Sequence, residues 1–433
     1  MSHPLRRRTA RAVVLAAVAS LPAPLGWASG FAIFEQGARG MGFAGAYTSQ
    51  TEDPSAIFHN AAGIAFLKGR QLYFGATLIH PDSEFEGENP FPGVGVREQG
   101  DAGVTIPPAF DYSHQWSERL AFGLGLHVPF GLRTRWQNAD TTFTGRFLSR
   151  RAEVRSLSLN PTVAYKLADR LAIGAGVDVR FSTVELDRNA GVINPFTQRV
   201  VDAALVELKS DTATSFGFNL GVLAKPVENL SVGFAYRHKV KTDFDGSADF
   251  TLLPTGNSQL DAVVKLRLPS GPTPVTTRIT FPALFSIGAS YKWNDWTLAV
   301  QADFQQWSSF DTLPLDFPER PELSTTIEEQ YGNSQIYRAG VERRLNERFT
   351  LRGGYYYDKN PAPAESVSPL LPDADRHGLA AGATWRSGRW RVEAANWFLL
   401  FKQRSTEGRN RDGYDGTYKS SAELFAISVG VSF

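Results

Sequence analysis

The sequence predicts an all-β fold, a 14-stranded antiparallel transmembrane β-barrel with an N-terminal hatch inside its lumen. Three observations lead there: an alternating final strand, connections that alternate short and long, and an export leader at the start. In the final strand Phe425, Ile427, Val429, Val431 and Phe433 share one face, while Leu424, Ala426, Ser428, Gly430 and Ser432 share the other. Alternate side chains of a strand point to opposite faces, so this segment carries one continuous apolar wall. Lipid could cover that wall, and so could the second sheet of a soluble sandwich; the other elements decide between them.

The leader comes first. Arg6, Arg7, Arg8 and Arg11 form a basic region, Ala12 to Leu21 is apolar, and Pro22 and Pro24 end the run ahead of Gly26-Trp27-Ala28. This is the pattern of a secretory signal peptide spanning 1–28, with cleavage expected after Ala28. A spanning helix needs about 20 uninterrupted apolar residues, and no later segment supplies them. The exported chain has no cysteine, so packing or barrel closure must stabilise it without disulfides. Its mean hydropathy is negative, as a barrel allows because only alternate residues meet lipid. Basic and acidic residues balance at 45 against 44, giving no reason to expect nucleic acid.

Residues 29–69 break the strand pattern. Gly37, Gly40, Gly42 and Gly45 recur among Arg39, Met41, Phe43 and Tyr47, and Asp53-Pro54 offers an N-cap acid followed by proline at a first helical position. Phe31, Phe34, Phe43, Ile57, Phe58 and Phe66 require burial, which a hatch folded into the lumen provides.

Residues 70–433 form the barrel. Period-two segments lie near 70–81, 103–114, 119–130, 153–167, 170–186, 212–225, 229–243, 277–293, 295–308, 333–344, 348–357, 376–387, 389–402 and 421–433. In the fifth, Ile173, Val177 and Phe181 oppose Asp178 and Arg180, a pair that suits a wet lumen and not lipid. Short links such as Trp293-Asn294-Asp295 and Arg386-Ser387-Gly388 alternate with long ones near 82–102, 131–152, 187–211, 244–276, 309–332, 358–375 and 403–420. Short turns at one end and long loops at the other are typical of outer-membrane barrels. A soluble sandwich has no need of that asymmetry. An even strand count lets the last strand close on the first, near Gln71 to Phe74.

Catalytic and metal chemistry leaves no pattern. His3, His59, His80, His114, His127, His238 and His377 are not paired at ligand spacing, so no metal and no cofactor is expected. No nucleophile elbow, P-loop or dinucleotide fingerprint stands in its strand–helix context. An outer-membrane barrel enzyme and a general porin remain the alternatives of a different class; the aromatic-rich loops and the hatch argue against both.

Gly30-Phe31 through Arg39-x-x-Gly42-x-Ala44-Gly45, Glu52-Asp53-Pro54-Ser55, Asn60-Ala61-Ala62-Gly63 and Val128-Pro129-Phe130-Gly131-Leu132 occur in that order. Asn160-Pro161, Tyr236-Arg237, Gln306-Trp307-Ser308, Tyr337-Arg338-x-Gly340, Arg352-x-Gly354-Tyr355 and Leu371-Pro372-Asp373-x-Asp375-Arg376 follow. Together they resemble the FadL-type (FadL/TodX, OMPP1) family of outer-membrane transporters for long-chain fatty acids and aromatic hydrocarbons, over essentially the whole mature chain.

The resemblance implies a monomer in the bacterial outer membrane, passive uptake of a hydrophobic small molecule, and lateral release into membrane lipid where the third strand kinks inward. It places the kink at Val128, Pro129, Phe130 and Gly131, faced by Asn60 and the hatch turn Ala61-Ala62, with Ala109 and Gly221 as small residues around the opening. Proline has no N–H to leave unpaired, and glycine gives clearance there. Arg188 matches a carboxylate-binding position, and Phe31, Phe34 and Arg338 complete the implied ligand set. Two departures stand out: Ala61 replaces the usual proline, and Ser334 stands where a lysine is expected. Fatty acid and neutral hydrocarbon both stay open on this reading.

Overall fold

The computed structural model describes residues 30–269 and 271–433; the expected leader, 1–28, lies outside them. Fourteen antiparallel strands close into one barrel. They are β1 (Arg70–Gly87), β2 (Pro108–Gln115), β3 (Leu120–His127 and, after a break, Gly131–Arg135), β4 (Arg151–Ala168) and β5 (Leu171–Ile193). Next come β6 (Val200–Ser210 and Ala213–Val227), β7 (Leu230–Arg237 and Val240–Leu252), β8 (Thr273–Phe281 and Leu284–Trp293), β9 (Trp296–Gln305) and β10 (Ser334–Arg344). β11 (Phe349–Asp358), β12 (Arg376–Ser387), β13 (Trp390–Phe401) and β14 (Gly416–Ser432) complete the wall. β14 pairs with β1 from Gln71↔Ser432 to Gly87↔Gly416, so neither strand is left as an edge.

The pleat sorts side chains as the alternation predicts. On β5, Ile173 and Val177 are 42% and 50% exposed on the outer surface, whereas Asp178 and Arg180 are fully buried in the lumen. Trp116, Trp293, Trp296, Trp385, Trp390 and Phe433 gather at the short-turn end and point outward, an aromatic belt suited to a membrane interface. The turns there are tight: Trp293 pairs directly with Trp296, and Asn294 takes φ 53° to make the reversal.

At the other end the strands run further than the hydrophobic pattern suggests. β1, β5, β6 and β7 continue into stretches expected to be loops, where Val200–Ser210 pairs with both β5 and β7. Asp187, Lys209 and Asp249 interrupt the apolar alternation in these extensions, so the backbone keeps its period while hydrophobicity loses it.

Residues 30–67 fill the lumen with α1 (Ala38–Gly42), α2 (Ala56–His59) and a 3-10 turn (Ala61–Phe66). The second helix begins two residues later than Asp53-Pro54 suggests. Asp53 still accepts the Ser55 amide at 2.9 Å, the contact of an N-cap acid, and also the Tyr47 hydroxyl at 2.6 Å, which ties the entry to this helix into the lumen network. Arg39, fully buried, bonds Glu342 of β10 at 2.8 Å, and Glu342 also takes Arg352 of β11 at 2.8 Å. Thr48 donates its amide to Gln301 of β9, and Ala38 to Ser428 of β14. These contacts tie the segment to four strands of the wall, β9, β10, β11 and β14.

Candidate functional site: the broken third strand and its cavity

Pro129 has no amide hydrogen, so the ladder of β3 cannot run through it. β3 ends at His127 and resumes at Gly131. On its β2 side, pairing stops at Phe110↔Leu126; among the described residues the next main-chain links are the Gly100↔Trp136 bridge and the Asp101 amide to Arg135 oxygen bond of 2.7 Å. Between these points residues 102–108 and 128–134 face each other with no ladder, an opening in the wall.

Unpaired backbone groups cannot be left facing lipid. Here the start of the described chain supplies partners. Ile33 donates its amide to Pro129 oxygen at 2.9 Å, Gly131 donates to Phe31 oxygen at 3.1 Å, and Ala32 bridges Phe130. Gln36 donates its side-chain amide to Val128 oxygen at 2.8 Å. Ser156 of β4 completes the set, accepting from the Phe130 amide and donating to its carbonyl.

A cavity of about 770 Å³ adjoins this break, within the range of small-molecule sites. Its lining joins inside to outside. Phe31, Ile33 and Glu35 come from the lumen segment, Val128, Gly131 and Leu132 from the break, and Leu399 and Leu424 from β13 and β14. Leu157 and the outward-facing Phe181 bring the outer surface of the wall into the same space. Asp373 and Arg376 give it a polar end, where Arg376 also bonds Asp358 at 2.9 Å. Burial pushes the Asp373 carboxyl up to about 7 despite nearby Arg376, and the Gly30 and Ala374 amides donate to it at 3.0 and 2.9 Å.

The family described as "Outer membrane protein transport protein (OMPP1/FadL/TodX)" matches this sequence over residues 18–433. The chain belongs to that family. A long-chain fatty acid transport protein of Escherichia coli O6:H1 is 24% identical, covering 97% of this chain and 98% of the relative. Outer membrane protein P1 of Haemophilus influenzae is 25% identical over 94% and 95% of the two chains. A FadL homologue of Pseudomonas aeruginosa has the same fold, with a TM-score of 0.82 at 23% identity over 94% of this chain and 100% of that one. The toluene transporter TodX of Pseudomonas putida gives 0.70 at 18% over 93% and 99%. The chain is therefore an outer-membrane barrel of a family of channels for hydrophobic substrates.

The structure brings only some of the expected site residues together. Val128, Gly131 and Phe31 line the cavity, and Pro129 and Phe130 are the break itself. Asn60 does not face it. Its side-chain amide donates to Thr48 oxygen at 2.9 Å and Val222 oxygen at 3.0 Å, against β6. Ala61 and Ala62 press on Gly174 of β5, so this turn packs against an intact wall. Gly221 is small for the same reason: a Cβ there would lie 2.1 Å from the Asn60 oxygen. Ala109 is buried opposite Gly75 and does not line the cavity.

Arg338 anchors the lumen segment, bonding Asp303 at 2.6 Å and Ala44 oxygen at 2.9 Å beneath the Phe34 ring. Arg188 sits half-buried on the extension of β5, opposite Val206, and Ser334 is buried beside Gln305; neither lines the cavity. Gln36, Ser156 and Arg376 act at the site without standing out in the sequence. Only Arg376 lay in a noted motif; the other two serve by distant contacts that spacing does not reveal.

Proposed function

We propose that the chain is a passive channel for long-chain fatty acids, which enter from the long-loop end, occupy the cavity and leave sideways between β2 and β3. A continuous space from lumen-facing to outward-facing residues at an unladdered part of the wall is the observation that supports this reading. The energetics favour that route. An alkyl chain gains about 0.8 kcal/mol per methylene on leaving water, so release into the bilayer is downhill where release into an aqueous compartment is not. In this reading residues 1–28 are the signal peptide, residues 29–69 are the hatch, and the barrel works as a monomer.

A second reading has a specific observation in its favour. Arg188 and Ser334 supply no cation to the cavity, and of the arginines that do line it Arg376 pairs with Asp358 and Arg155 with Glu153, an arrangement that also suits a neutral aromatic or aliphatic hydrocarbon. Uptake of labelled oleate and labelled toluene by cells carrying the protein as their one such channel separates the two. Oleate accumulation well above the channel-less strain is expected; toluene accumulation alone would discard the fatty acid reading.

A further inference from the structure

Beneath the cavity lies a buried charge cluster that the route above does not use. Arg180 of β5 donates from Nη2 to Asp178 Oδ2 at 2.7 Å, and Arg237 of β7 donates to the same oxygen at 3.4 Å. The other Asp178 oxygen accepts the Ser158 hydroxyl. Two guanidinium groups thus share one carboxylate, and among the described residues no second acid pairs with either. Arg237 finds a further acceptor in Phe58 oxygen at 3.1 Å. Arg180 does not: Nε and Nη1 are buried without a hydrogen-bond partner.

An uncompensated buried cation with unmet donors is costly. Aromatic faces offset part of that cost, and Arg180 has two, Phe130 at 5.0 Å and Phe281 at 5.1 Å. Phe130 belongs to the broken strand. Its ring and that of Phe281 pack 4.8 Å apart, and Phe31, which lines the cavity, meets both edge-on. Ser182, next along the same face of β5, also lines the cavity. One layer of rings therefore separates two unmet guanidinium donors from the cavity.

We propose that Arg180, held by Asp178 and Arg237, is a carboxylate-binding site that opens to the cavity when the Phe130 side chain turns aside. This rests on the fatty acid reading and deepens it. The carboxylate accepts from one of the unmet nitrogens of Arg180, Nε or Nη1, which lie on different edges of the guanidinium, while the alkyl tail lies along the cavity toward the gap beside Phe130. The tail then enters the bilayer first and the charged head follows.

The test compares oleate with oleyl alcohol, which keeps the tail and loses the charge, on the purified full-length barrel by calorimetric titration. Arg180→Met keeps the side chain's bulk and removes the donors. It should weaken oleate about tenfold or more, the effect of losing a charge-assisted contact, and leave oleyl alcohol within about twofold. Arg180→Lys should recover part of the oleate affinity. An unchanged oleate affinity, or an equal loss for both compounds, would overturn the site, since a purely structural arginine cannot tell them apart. Should Arg180→Met fail to fold, Phe130→Leu uncovers the cation and should raise the preference for oleate over the alcohol; an unchanged preference overturns the proposal. A wild-type barrel that prefers oleate, with Arg180→Met keeping that preference, removes this site and leaves the fatty acid reading standing. A wild-type barrel with no preference for oleate removes both.

Discussion

The lumen segment meets the barrel wall in two opposite ways. Against β5, β6 and β7 it presses on an intact ladder, and Gly174, Gly221 and Gly233 leave room for Ala61, Asn60 and Thr48 to touch backbone. Against β3 it meets a ladder that has been interrupted, and its own residues 31–33 and Gln36 stand in for the absent neighbours. On the first side the wall is complete and the plug conforms to it. On the second the wall is incomplete and the plug finishes it. In the lateral-release reading proposed above, the first arrangement holds the lumen segment and the second makes the opening depend on it.

Substitutions separate the two sides. The largest effect is expected at Gly221→Val, whose Cβ would fall 2.1 Å from the Asn60 oxygen and 2.9 Å from the Ala62 amide nitrogen. Overpacking against backbone should cost roughly 3 kcal/mol or more, read as a lost or sharply lowered unfolding midpoint of the refolded barrel. Val128→Glu should leave that midpoint close to wild type and reduce oleate uptake at least about tenfold, because a charge in the gap opposes passage of a tail. Normal uptake by the folded variant would show that the route lies elsewhere.

Gln36→Ala removes the donor to Val128 oxygen, a part-buried bond whose loss should cost about 0.5–1.5 kcal/mol. Faster amide exchange at Val128 and Gly131, with β6 amides unaffected, is the expected signature. Gly131→Ala is the mirror of Gly221→Val: its Cβ would meet Ile33 Cδ1 at 2.7 Å, the tip of a flexible side chain, and nothing else closer than 3.8 Å. A cost within about 1 kcal/mol is expected.

A last effect, set by charge and not by packing, concerns pH. Asp373 keeps its proton to about pH 7 in the folded protein against 3.8 when unperturbed. The folded state binds the extra proton, so this residue's contribution to stability falls as pH rises from about 4 to 7 and stays low above. Asp373→Asn should flatten that part of the midpoint-versus-pH curve by a few degrees.

Much of the wall is legible because lipid and lumen impose opposite polarity on successive residues. All fourteen expected windows contain a strand, and Pro129 marks the break because proline cannot donate. The lumen is harder to read. Asn60 bonds a carbonyl 162 positions away, and Arg338 bonds one 294 positions away; neither periodicity nor local motif carries such pairings. Arg180 shows the same limit: its alternation with Ile173 and Val177 assigns it to the lumen, but only the fold shows which of its nitrogens find partners.

The bonds that Phe31 and Ile33 make at the break run through their amide and carbonyl, while their side chains line the cavity. Nearly any residue can therefore occupy these two positions and still complete the wall, proline at 33 excepted for want of an N–H. If the cavity is the substrate site proposed above, closure and selectivity fall on different atoms of the same residues, and a descendant can exchange its substrate without relearning how to stay shut.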